Sequence, residues 1–131
     1  MTSRVLLDTS AVIDLGSWED EGLGASSPTI SAVTVAELAF GLDVEDLVER
    51  RVRTDRFYTI LRELDVLPFD LAAARVYGTL AATLRRTGRN PRPRRMDLQI
   101  AATAASHDLP LVTRNPVDFA GLTDLVRIVA V

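Results

Sequence analysis

The chain has 131 residues, 47% hydrophobic and 25% charged, with a formal net charge of −3. That length suits one domain, residues 1–131, and no apolar run reaches the roughly 18–20 residues that span a bilayer. With no cysteine, one histidine and arginine as the only strong base, disulfide frameworks, zinc ribbons, thiol nucleophiles and lysine-dependent phosphate loops are excluded. Carboxylates, hydroxyls, amides and arginine remain for chemistry. Arg4 is followed by only three apolar residues before Asp8, which is no signal peptide, so a cytoplasmic location is expected.

Val5, Leu6 and Leu7 form a short apolar run typical of a strand buried on both faces. The run stops at Asp8, and Thr9, Ser10, Ala11, Val12, Ile13 and Leu15 follow at helix-like spacing. Asp8 is thus expected at the carboxyl end of a parallel strand, where open α/β sheets bind ligands, or as an ordinary cap. Residues 16–28 read as a Gly- and Ser-rich loop closed by Pro28, with Trp18 over the core edge. Thr29–Val33 predicts a second strand. Thr34 followed by Glu37 matches a capping box, which predicts a helix from Val35 and puts the Glu37 carboxylate in its first turn.

Residues 45–63 predict an amphipathic helix whose stripe comprises Leu47, Val48, Val52, Phe57, Ile60, Leu61 and Leu64. Val66–Phe69 predicts a third strand, and Asp70 caps a helix that Gly88 ends. Residues 85–95, RRTGRNPRPRR, hold six arginines of the chain's 15 basic residues and no acid. Two prolines and a glycine predict a loop, and its charge suits contact with a phosphate backbone. Asp97 then opens a helix rich in small residues, with His107 near its C-terminus. Leu111–Thr113 predicts a fourth strand, Arg114, Asn115, Pro116 and Asp118 a polar turn, and Val126–Val131 a fifth strand. Strands alternating with helices imply a three-layer α/β/α sandwich around a mostly parallel five-stranded sheet.

Asp8, Glu37, Asp97 and the Asn115/Asp118 turn each follow a strand or open a helix, so all are expected at one rim of the sheet. Acids gathered there raise one another's pKa and call for a cation, and oxygen ligands without His or Cys select Mg²⁺ or Mn²⁺. Such a site suits phosphoryl transfer.

Four stretches in order, LLDTSAVI, SAVTVAELAFG, MDLQIAATA and LVTRNPVDF, resemble the PIN-domain nucleases, in particular the VapC-type toxins of bacterial type II toxin–antitoxin pairs. The resemblance spans essentially the whole chain. It implies that Asp8 and Asp97 hold Mg²⁺ directly and Glu37 directly or through water. Many relatives carry an acid where this chain has Asn115, so Asp118 is the candidate fourth acid, and one or two metals remain open. Thr9, Thr113 and Asn115 are the expected supporting groups. The implied reaction is hydrolysis of an RNA phosphodiester by metal-activated water, leaving a 5′-phosphate and a 3′-hydroxyl. Arg85, Arg86, Arg89, Arg92, Arg94 and Arg95 would hold the strand from one side and Arg114 from the other. The resemblance also implies a homodimer and a cognate antitoxin, for which the helices of residues 35–64 are the expected docking surface. The alternatives are a catalytically weak PIN domain that only binds RNA or a partner, and a metal-dependent nuclease acting on DNA.

Overall fold

The computed structural model describes residues 3–15 and 26–131. Residues 16–25 of the loop expected at 16–28, with Trp18, lie outside them. Five strands form one parallel sheet in the order β3-β2-β1-β4-β5: β1 Arg4–Leu7, β2 Ser27–Ser31, β3 Asp65–Leu67, β4 Leu111–Thr113 and β5 Ile128–Ala130. The helices are α1 Thr9–Ile13, α2 Ala32–Phe40, α3 Leu47–Glu63, α4 Leu71–Arg86 and α5 Arg95–Ser106. β1 is the central strand, pairing Leu7 with Ile30 of β2 and with Val112 of β4.

Alternation along β1 sorts the core into two halves. Leu6 joins Leu80, Leu84, Leu98, Ile100 and Phe119 under α4 and α5. Val5 and Leu7 join Ala11, Val12, Ile30, Ile60 and Leu64 under α1 and α3. Full burial of each such leucine is worth about 1.5–3 kcal/mol. These two cores on either side of one sheet are the three-layer sandwich that the strand–helix alternation implied. α5 packs closely because Ala101, Ala102 and Ala104 are fully buried. The polar groups within the layers are paired: the Thr29 hydroxyl donates to Val5 O at 2.8 Å, and the Ser31 and Thr103 hydroxyls lie 3.0 Å apart.

Several boundaries differ from the sequence reading. β2 starts before Pro28, which lies inside the strand and does not close the preceding loop. β2 also ends sooner, and Ser31 caps α2 by accepting the Val33 N–H at 3.1 Å. Thr34 and Glu37 are therefore within the helix, and they form no capping box. The α3 stripe is mostly unpartnered in the chain: Ile60 is buried, but Leu47, Val48 and Val52 stand exposed. The arginine-rich segment is not one loop. Arg85 and Arg86 finish α4, Arg92–Arg94 form a 3₁₀ turn, and Arg95 begins α5.

Candidate active site

The sheet order reverses direction at β1, whose neighbours β2 and β4 lie on opposite sides. In open parallel sheets the crevice at the carboxyl ends beside such a switch is the natural ligand site. Asp8 stands there. It caps α1, its Oδ1 accepting the Ala11 N–H at 2.9 Å and the Ser10 hydroxyl at 2.7 Å. Its own N–H donates to Val112 O at 3.0 Å, continuing the β1–β4 ladder, and it is 6% exposed. Both expectations for Asp8 hold together: it is the cap, and it is at the rim.

Glu37 reaches the same rim from α2. The Thr9 hydroxyl, beside Asp8, donates to Glu37 Oε1 at 2.6 Å and lies 3.4 Å from the Thr34 hydroxyl. The Thr113 hydroxyl accepts the Asn115 N–H at 3.0 Å, which shapes the turn after β4. Asn115 begins the 3₁₀ turn Pro116–Phe119 with its side chain exposed.

Asp97 lies in the first turn of α5. Its pKa is raised, first by burial and then by the charges of Glu37, Asp118 and Asp8, while Arg94 lowers it. Each of the other three acids is therefore near enough to act on Asp97. Of the four candidate acids, Glu37 and Asp97 line one cavity, and Thr9 ties Glu37 to the end of β1 beside Asp8.

The arginines divide by use. Arg94 Nη1 lies 2.6 Å from Asp118 Oδ1, a contact that raises the Arg94 pKa. Arg89 donates to Ala120 O at 3.1 Å. Both tie the α4–α5 connection to the Pro116–Phe119 turn and the residue after it. Arg92 and Arg95 line a cavity of about 380 Å³ together with Glu37 and Asp97. Arg85 and Arg86 sit on the exposed end of α4, Arg86 donating to the Thr83 hydroxyl. Arg114 pairs with Asp14 at 3.5 Å, and its N–H donates to the Ser10 hydroxyl at 3.2 Å.

Sequence reasoning missed Ser10, whose hydroxyl links the Asp8 carboxylate to the turn after β4. A hydroxyl two residues after a capping Asp is the signal that could have revealed it. It also missed a second cavity of about 430 Å³ on the other side of Glu37, between α2 and α3, lined by Leu38, Arg53, Arg56, Phe57 and Ile60.

Oxygen donors alone suit Mg²⁺ or Mn²⁺. Among the described residues no three His, Cys, Asp or Glu side chains are gathered closely enough to hold a metal ion. One oxygen each of Asp8, Glu37 and Asp118 is already engaged locally. Mg²⁺ usually keeps several waters and takes one or two carboxylates. The donor set therefore fits a partly hydrated ion, with Asp97 the carboxylate most in need of one. His107 is no ligand here: it caps α5, its Nδ1 2.9 Å from Thr103 O.

Residues 5–122 match the PIN domain family. The chain is 37% identical to Ribonuclease VapC5 of Mycobacterium tuberculosis over 121 residues, covering 89% of this chain and 86% of that one. It is also 37% identical to the tRNA(fMet)-specific endonuclease VapC of Shigella flexneri over 90 residues, covering 69% and 65%. Among solved structures it resembles VapBC-5 of Mycobacterium tuberculosis, a member of the VapBC family of toxin–antitoxin systems. That match has a TM-score of 0.84 and 34% identity and covers 98% of this chain and 99% of that one. With its acids at the switch point of a parallel sheet, the chain belongs to the PIN-domain family, among the VapC-type proteins.

Proposed function

We propose that the chain is a Mg²⁺-dependent endoribonuclease, the toxin of a type II toxin–antitoxin pair, with Mn²⁺ as a substitute ion. The observation that carries this reading is the placement of Glu37 and Asp97 in one cavity lined by Arg92 and Arg95, with Glu37 tied through Thr9 to the end of β1 where Asp8 stands. A buried carboxylate whose ionisation is opposed by neighbouring acids is a poor arrangement for stability and a good one for a divalent cation. The relatives named ribonuclease and endonuclease point to RNA as the polymer.

Asp8 and Asp97 would hold the ion, with Glu37 and Asp118 completing its surroundings directly or through water. When bound, such an ion lowers the pKa of water and offsets charge building on the phosphate. The chain's own groups do the rest. Thr9 fixes Glu37 through the 2.6 Å hydrogen bond, and Ser10 fixes Asp8, so neither carboxylate has to reorganise during the reaction. Arg92 and Arg95 flank the cavity where a scissile phosphate would enter, and guanidinium forks suit phosphate oxygens. Contacts of that kind position a strand without reading its bases.

The same reading assigns a cognate antitoxin and a homodimer. The structural relative's VapBC description supports the first. Phe40, Leu47, Val48 and Val52 are exposed apolar side chains on α2 and α3, and they suit a partner surface. Substitutions of these side chains by Asp that leave antitoxin affinity unchanged would remove this placement.

The test is cleavage of a mixed RNA pool, with Mg²⁺ or with EDTA, by wild type and Asp97→Asn. The expected result is discrete products that disappear with EDTA and with the substitution. RNA retained but never cut would favour a binding module, and cutting of single-stranded DNA in preference to RNA would reassign the substrate.

A further inference from the structure

Arg94 is the arginine whose charge is committed inside the acidic site. Its guanidinium lies 2.6 Å from Asp118, with the two side chains 33% and 29% exposed, so the pair is neither buried nor freely hydrated. Arg92 and Arg95 face the neighbouring cavity instead. The pairing has a mechanical side. Arg94 directly precedes α5, the helix carrying Asp97, and Asp118 lies in the turn after β4. Together with the Arg89–Ala120 hydrogen bond, the ion pair straps that turn to the start of α5.

A cation already placed among carboxylates must compete with any other cation that binds there. We propose that Arg94 is a resident counter-ion of the acidic cluster: it positions Asp118 before metal binds and sets the Mg²⁺ concentration at which the site fills. This rests on the metal-dependent reading above. Arg94 is then a positioning residue, and its removal leaves the carboxylates uncompensated and more receptive to a divalent ion.

The experiment is calorimetric titration of the metal-free full-length chain with MgCl₂, for wild type, Arg94→Gln and Arg94→Lys. A partly exposed ion pair of this kind predicts a Kd for Mg²⁺ about two- to fivefold lower in Arg94→Gln. Arg94→Lys keeps the charge and should stay near wild type. Amide exchange over residues 116–122 should speed up in metal-free Arg94→Gln and slow again at saturating Mg²⁺. An Arg94→Gln affinity equal to or weaker than wild type would overturn the proposal while leaving the metal reading intact. Absence of Mg²⁺ binding by wild type and variants alike would overturn the metal reading, and the proposal with it. Should Arg94→Gln not fold, Arg94→Met keeps the apolar stem and serves the same comparison.

Discussion

Asp97 concentrates the chemistry of the site in one residue. Its pKa lies above the ordinary aspartate value of 3.8, with burial the largest cause. An acid whose folded pKa is raised binds its proton more tightly in the folded state. Metal-free stability therefore falls as pH rises from the ordinary aspartate value through the raised one, and the penalty is complete above it. Asp97→Asn should melt higher than wild type in EDTA at pH 7, and the gain should vanish below pH ~4, where both states are protonated. Thermal melts across pH check this. The same substitution should lower RNA cleavage by about 10²–10³-fold, the usual scale for removing a group that acts on developing charge. Thr9→Val tests the support of Glu37. Losing the 2.6 Å hydrogen bond should cost about 1 kcal/mol in denaturant titrations, with reduced cleavage by a folded protein. At this scale Asp8 and Asp97 were legible because one sits at the change from strand to helix and the other in a first helical turn, whereas Glu37 was reached through a capping box that does not form. Arg94 was not legible, because its partner Asp118 lies 24 residues further on and nothing local announces the pairing.

Among the elements, α4 and α5 end alike, each in a Schellman turn. After α4, Gly88 has φ 85° and its N–H bonds to Arg85 O while that of Arg89 bonds to Leu84 O. After α5, Asp108 takes the same place at φ 54°, with its N–H on Ala105 O and that of Leu109 on Ala104 O. Left-handed backbone is strained for residues other than glycine. Gly88→Ala should destabilise by about 1 kcal/mol, and Asp108→Gly should stabilise by somewhat less, as read by equilibrium unfolding. Gly88 made the first end readable, whereas an aspartate there gives no signal. The start of α2 was misread for a related reason. The segment offers two candidate caps, Ser31 and Thr34, and the choice is fixed by a tertiary contact, Ser31 with Thr103, 72 residues away. In α3 the spacing gave the helix correctly but could not say that only Ile60 and the capping Leu64 would meet the sheet.

For the whole molecule, strand alternation and the buried β1 run were enough to specify the layers. The strand order was not readable, because which neighbours flank β1 depends on crossovers that leave no local pattern. That order matters for function, since it puts β1 and β4 side by side and brings Asp8 to the turn holding Asp118. Binding a divalent ion there should stabilise the fold as a unit. Each tenfold excess of Mg²⁺ over its Kd should add about 1.4 kcal/mol, seen as a rising Tm, with little effect in Asp97→Asn. RNA retention should weaken with salt. Replacing Arg92 and Arg95 together should flatten the logarithmic slope by about 1.4, if each meets one phosphate of a single strand.

The sheet's edges carry a different consequence. β3 and β5, its outermost strands, are three residues each, and Asp65 opens one while Arg127 precedes the other. Strands so short, bordered by charge, present few unpaired backbone groups to another chain. Concentrated samples should therefore resist growth into stacked, fibrous polymers through those borders, leaving self-association to the helical flanks.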